Sequence, residues 1–144
     1  MRISEILTGK GTVVHAVPQA ASVLEATQVM NDHAIGAVVV TEHDRLVGIF
    51  SERDVLRRVV AEDLRPAEVT VSDVMTTEVT CCRPETTLEE ARGVMKRRRI
   101  RHLPVIHSDG EICGIVSIGD LNAVLSSDQE STIHCLHEYL YGRV

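Results

Sequence analysis

A serine followed three residues later by an aspartate occurs twice, as Ser51-x-x-Asp54 and Ser117-x-x-Asp120, with a glycine three residues before each serine, Gly48 and Gly114. A carboxylate can accept hydrogen bonds from both hydroxyls of a ribose, and a serine hydroxyl can donate to a phosphate or a sugar. Each pair falls where an apolar strand gives way to a helix, a junction whose unpaired N–H groups and positive dipole end suit anions. A single such aspartate is explained well enough as a cap on its own helix. Two of them, in register with the same serine and glycine, point to a shared role. A further group is Arg101-His102, which follows Lys96-Arg97-Arg98-Arg99 and precedes an apolar strand. The charge run suits a solvated helix C-terminus. Arg101 and His102 stand at the mouth of a groove as a phosphate clamp.

These groups belong to a duplicated frame. Gly48-Ile49-Phe50-Ser51-Glu52-Arg53-Asp54-Val55 returns 66 positions later as Gly114-Ile115-Val116-Ser117-Ile118-Gly119-Asp120-Leu121, and Ile3-Ser4-Glu5-Ile6-Leu7-Thr8 answers Val71-Ser72-Asp73-Val74-Met75-Thr76. The unit is about half the chain, too short to bury a sufficient core alone, so two copies must pack as one body. In the first copy the pattern predicts a short helix capped by Ser4, a strand over Thr12–Val17 stopped by Pro18, and a helix after Ser22. Strands over Ile35–Thr41 and Leu46–Phe50 follow, joined by a turn at Glu42–Arg45, and a helix starts at Asp54. The second copy predicts strand Val79–Cys82, a helix from Thr87 through Met95, strand His102–Ile106, a turn at Ser108–Gly110, strand Ile112–Val116 and a helix from Asp120. The expected fold class is mixed α/β, each half β-α-β-β-α behind a short helix. The expected divisions are 1–66, 67–125 and a C-terminal amphipathic helix over 126–144 carrying Ile133, Leu136, Leu140 and Tyr141.

Composition narrows the function. The net charge of −6 and the presence of only one Phe, two Tyr and no Trp argue against a nucleic-acid binder, which needs cationic surface and stacking platforms. No apolar run approaches the length of a membrane span, and the N-terminal residues lack a signal-peptide core, so a soluble, cytoplasmic protein is expected. Cys81, Cys82, Cys113 and Cys135 show no metal-binding spacing and read as reduced, mostly buried thiols. His134-Cys135-x-His137 is better read as a polar helix face than as a metal cluster, because Cys135 points away from the face the histidines share. No nucleophile–base pair or metal cage is apparent, so catalysis is not expected.

The duplicated Gly-hydrophobic-hydrophobic-Ser-x-x-Asp segments, with Arg101-His102-Leu103-Pro104-Val105, resemble a tandem pair of CBS (cystathionine-β-synthase) domains, a Bateman module, over residues 1–125. The resemblance implies two halves packed sheet to sheet about a pseudo-twofold axis, with two clefts for adenosyl compounds such as AMP, ADP, ATP or S-adenosylmethionine; NADH is a further possibility, and no resident cofactor is implied. One cleft would combine Ser51, Arg53 and Asp54 with Val79, Thr80, Cys81, Arg101, His102 and Pro104. The other would combine Ser117 and Asp120 with Val14, His15, Ala16, Ile35, Gly36 and Ala37. The aspartate would take the ribose, apolar strand residues the base, and basic groups the phosphate. The first cleft has the stronger cationic complement, since Gly119 stands for Arg53 and Gly36-Ala37 for Arg101-His102, with Lys10 or His15 as partial compensation. Such modules pair through their helices, so a homodimer is expected, with output through an unidentified effector protein. A scaffold that binds no ligand is the alternative.

Overall fold

A computed structural model describes residues 1–126; the expected C-terminal helix, with His134, Cys135 and His137, lies outside the described residues. The order is α1 (Ile3–Lys10), β1 (Ala16–Pro18), α2 (Val23–Asp32), β2 (Ala37–Glu42), β3 (Arg45–Ser51) and α3 (Glu52–Asp54), which widens into a π-helix over Val55–Val60. A 3-10 turn (Pro66–Glu68) leads to α4 (Val71–Val74), α5 (Leu88–Arg98), β4 (His102–Ile106), β5 (Ile112–Ser117) and α6 (Ile118–Ser126). The first half forms a three-stranded sheet, β1 parallel to β2 and β2 antiparallel to β3, and the second half a two-stranded antiparallel sheet. The mixed α/β class is as expected.

Local chemistry sets most boundaries. Ser22 opens α2 with a reciprocal capping box, its hydroxyl accepting from Glu25 N–H at 3.1 Å while the Glu25 carboxylate accepts from Ser22 N–H at 3.4 Å. Thr87 caps α5 by accepting from Glu90 N–H at 3.2 Å. The buried stripes correspond, Val23, Ala26 and Met30 on α2 and Leu88, Ala91 and Met95 on α5. The first hairpin turns through His43 and Asp44, both at positive φ, a conformation that matches the twist of antiparallel strands.

Helices α1 and α4 are exchanged between the halves. Ile3, Ile6 and Leu7 of α1 lie in the second core with Leu88, Leu103, Val105, Val116 and Leu121, whereas Val71, Val74 and Met75 lie in the first core with Val38, Val40 and Phe50. Each such side chain contributes about 1.5–3 kcal/mol by leaving water. The exchange also explains why the expected Ser4 cap is not formed. The helix begins at Ile3, and the N–H groups of Ile3 and Ser4 donate to Thr86 O and Pro84 O at 2.8 and 2.9 Å, so the opposite half does the capping. The mirror arrangement holds α4, where Val71 and Ser72 donate to Ala21 O and Gln19 O at 2.8 and 3.1 Å.

Two expected strands are shorter than their composition suggests. The expected Thr12–Val17 strand is confined to Ala16–Pro18, because upstream of His15 the chain leaves the sheet to reach α1; Pro18 ends an edge strand, where its missing N–H is tolerated. The expected Val79–Cys82 strand is reduced to one bridge, Cys82 to Val105. In the first half Val39 N–H donates to His15 O at 3.2 Å. In the second half Pro104 occupies the place of Val39 and has no hydrogen to give Thr80 O, so pairing cannot extend.

The motif glycines serve packing. A Cβ at Gly114 would lie 2.7 Å from Leu7 Cδ2, and one at Gly48 would lie 2.5 Å from Met75 Sδ and 3.0 Å from Thr76 O. Gly114→Ala should therefore lower stability by about 1–3 kcal/mol through overpacking, and Leu7→Ala should offset part of that loss in the double variant. Urea unfolding of the four proteins in this cycle checks it; strict additivity would contradict the contact.

Candidate functional site

The Ser51–Asp54 turn is closed by its own residues and by the other half's leading segment. Asp54 is buried; Oδ2 accepts from Ser51 N–H at 3.0 Å and the Ser51 hydroxyl at 3.3 Å, while Oδ1 accepts from the Thr76 hydroxyl at 3.3 Å and lies 3.6 Å from Arg58 Nε. Thr76 and Ile49 exchange backbone hydrogen bonds at 2.9 and 3.0 Å. From Thr76 the chain passes through half-buried Val79, Thr80 and Cys81 to Cys82, whose N–H donates to Pro104 O at 2.9 Å. One segment thus runs from the edge of β3 to the edge of β4, bringing Ser51, Asp54, Val79, Thr80, Cys81 and Pro104 along a single seam.

The Ser117–Asp120 turn repeats this with a different fastener. Asp120 Oδ2 accepts from Ser117 N–H at 2.8 Å, and Asp120 N–H donates to the Ser117 hydroxyl at 3.1 Å. Lys10 Nζ donates to Asp120 Oδ2 at 2.7 Å and to Ile115 O at 2.8 Å. Burial works to raise the Asp120 pKa, but the Lys10 and Ser117 hydrogen bonds outweigh it and hold the carboxyl below its ordinary value. Beyond Lys10 the chain continues through Val14 and His15 to Ala16, the first residue of β1. Lys10 and Asp120 line a cavity of about 270 Å³ with Glu5 and Val124. The His15 ring stacks on His33, centroids 3.8 Å apart.

Each half repeats the same backbone contact beside its turn. Glu52 N–H donates to Gly36 O at 3.0 Å and Ile118 N–H to Arg101 O at 2.8 Å; Ala37 pairs with Ser51, and His102 with Ser117. Gly36-Ala37 and Arg101-His102 are therefore structural counterparts, and Ile35 packs against the first core. A Cβ at Gly36 would lie 3.3 Å from His102 Cε1, so the glycine leaves room for the imidazole. Burial lowers the His102 pKa; Glu52 and Asp120 oppose, and Arg101 and Lys10 reinforce. Arg53 does not turn toward Asp54. It reaches across the halves to donate to Arg99 O at 2.8 Å, and with Arg101 it lines a cavity of about 520 Å³ beside α5.

Burial raises the pKa of each of the three thiols among the described residues. Cys81, Cys82 and Cys113 are free, and burial, reinforced by Cys81 and Cys113, pushes the Cys82 thiol up to about 12. Among the described residues no group of three or more His, Cys, Asp or Glu is arranged to hold a metal ion, and no helix is long and apolar enough to cross a membrane. Two contacts were missed by motif reading, Thr76 on Asp54 and the full engagement of Lys10 on Asp120. The signal for both was the repeat of the leading helices, whose ends carry Thr76 and Lys10.

The CBS domain family matches residues 5–61 and 71–127, the two halves in turn. The chain belongs to that family. It is 36% identical over 126 residues to the mitochondrial CBS domain-containing protein CBSX3 of Arabidopsis thaliana, covering 84% of this chain and 61% of that protein. It is 36% identical over 120 residues to the CBS domain-containing protein YhcV of Bacillus subtilis, covering 83% of this chain and 84% of the relative. Among solved structures, a CBS-domain protein from Burkholderia ambifaria superposes with a TM-score of 0.86 at 32% identity, over 90% of this chain and 96% of that one. A CBS domain protein from Pyrobaculum aerophilum complexed with AMP superposes with a TM-score of 0.74 at 28% identity, over 83% of this chain and 89% of that one. The two halves together therefore have the fold of a CBS-domain pair.

Because Asp120 is ionised more readily in the folded chain, its stabilising contribution is present above the ordinary carboxylate range and is lost as pH falls through its depressed pKa. Lys10→Met should flatten this acid loss and cost about 1 kcal/mol or less at neutral pH, the pair being partly exposed. Urea midpoints of both proteins from neutral pH into the acid range check it, and identical acid profiles would contradict the pairing.

Proposed function

We propose that this chain is a regulatory module that binds an adenine nucleotide, AMP, ADP or ATP, in clefts along the seam between its CBS halves. The observation carrying this reading is that each Ser-x-x-Asp turn opens beside the segment leading into the opposite half, so a ligand there touches both halves. The AMP complex of the Pyrobaculum relative supports the ligand class; S-adenosylmethionine and NADH share the adenosyl portion and belong to the same screen.

In the first cleft, Asp54 is the ribose acceptor. The Oδ1 contacts to Thr76 at 3.3 Å and Arg58 at 3.6 Å are long enough for ribose hydroxyls to replace them. Val79 to Cys81 and Pro104 flank the base, and Arg101 and His102 face the phosphate. In the second cleft Val14 to Ala16, Ile35 to Ala37 and Ser117 surround Asp120, whose Oδ2 already holds the short, charge-assisted bond to Lys10. Ligand entering there must displace this lysine from the carboxylate. The Asp54 cleft consequently fills first.

The role is regulatory rather than catalytic, and signalling follows if the ligand favours one arrangement of the halves over another. Output runs through a homodimer or an effector protein in the cytoplasm, a compartment in keeping with the three free thiols among the described residues.

Asp54→Ala should weaken AMP binding by about 1.5–3 kcal/mol, the range for a hydrogen bond to a charged group, whereas Asp120→Ala should leave the tighter site nearly unchanged. Calorimetric titration with AMP, ATP, NADH and S-adenosylmethionine reads affinity and stoichiometry together. Absence of saturable binding by any of them would replace the sensor with a scaffold.

A further inference from the structure

The cavity of about 520 Å³ beside α5 is lined by five cationic side chains, Arg53, Arg92, Lys96, Arg99 and Arg101, and by one carboxylate, Glu89, with Met95, Ile100 and Ile118 contributing apolar surface. Its charge is opposite in sign to that of the chain, which is −6 overall. Among the described residues none of the five forms an ion pair with a carboxylate. The guanidinium of Arg53 is held across the seam by Arg99 O at 2.8 Å, which keeps a cation from the first half against the helix of the second.

A solvated helix end does not account for this cluster. The macrodipole favours cations in the last turn of α5, but Arg92 lies at mid-helix, and Arg53 and Arg101 lie outside the helix altogether. The internal repeat supplies a control. Ser22 and Thr87 cap equivalent helices, Ala34 and Arg99 follow them with matching positive φ of 52° and 55°, and Gly36 and Arg101 accept equivalent hydrogen bonds. In that register Arg92, Lys96, Arg99 and Arg101 correspond to Thr27, Asn31, Ala34 and Gly36, and Arg53 corresponds to Gly119. The same fold is built at the matching place without one charged residue among these five, so the architecture does not demand the cations.

We propose that this cavity is an anion site for linear inorganic polyphosphate, which shares Arg53 and Arg101 with the first adenosyl cleft and extends beyond it through Arg92, Lys96 and Arg99. Several positive groups converging on a concavity of this size suit a ligand carrying several charges at close spacing, and guanidinium groups bind phosphate oxygens in a bidentate manner. Glu89 opposes this charge and limits affinity for a chain of a single phosphate.

The test is calorimetric titration of the full chain with inorganic tripolyphosphate, orthophosphate and AMP, with ATP in competition, on the wild type, the Arg92→Glu/Lys96→Glu double variant and Glu89→Gln. Both positions of the double variant are exposed on α5 and outside the adenosyl clefts. Tripolyphosphate should bind saturably and more tightly than orthophosphate. The double variant should lose at least about tenfold of that affinity while AMP binding stays within about twofold, and Glu89→Gln should bind tripolyphosphate more tightly. ATP should compete with tripolyphosphate through the shared Arg53 and Arg101, and failure to compete would contradict that sharing. Absence of tripolyphosphate binding, or affinity unchanged in the double variant, would overturn the proposal; AMP binding alone would leave the adenosyl reading standing while removing this one.

Discussion

The structure depends on a steric constraint at two glycines. Gly48 and Gly114 lie on the last strand of each half, β3 and β5, and any side chain there would meet Met75 or Leu7 at well under van der Waals distance. Through those gaps α4 packs on the first sheet and α1 on the second, so each core is completed by apolar residues from the segment leading into the other half. A half this small hides too little surface to stand alone. The exchange supplies the missing core and ties the halves together covalently as well as by contact.

The functional geometry follows from the same crossing. The ends of the exchanged helices deliver Thr76 to Asp54 and Lys10 to Asp120, and the chain beyond each runs along the seam toward the neighbouring sheet. The turns are therefore alike in backbone and unlike in fastening. Under the proposed ribose role, a neutral hydroxyl at 3.3 Å yields more readily than an ammonium at 2.7 Å, so the two turns differ in availability. The cluster containing Arg53 and Arg101 is likewise built in one half's register only, with Gly119 and Gly36 at the matching places.

The repeat, the hairpins and the helix caps were legible in the sequence because they rest on local chemistry. The Ser22 capping box, the His43-Asp44 turn and the correspondence of Met30 with Met95 require only nearest neighbours along the chain. What was hidden is nonlocal. Ser4 reads as a cap, yet the α1 N–H groups find carbonyls at Pro84 and Thr86. Val79–Cys82 reads as a strand, yet Pro104, more than twenty residues on, withholds the hydrogen bond that would extend it. Arg53 reads as a neighbour of Asp54, yet its first helical turn directs it to Arg99. The grouping of Ser51 and Asp54 with Val79 to Cys81 came from family resemblance, and the bridging segment from Thr76 to Cys82 supplies its physical reason.

A cleft built across the seam makes a direct demand on dynamics, since ligand must order both of its walls at once. Hydrogen–deuterium exchange of the full chain, with and without saturating AMP, reads this residue range by residue range. The account predicts slowed exchange in two separated segments together, the Ser51–Asp54 turn and the Thr76–Cys82 segment, with a smaller effect around Ser117–Asp120. Protection confined to one half, with the opposite segment unaffected at saturation, would contradict a nucleotide site shared between the two CBS domains.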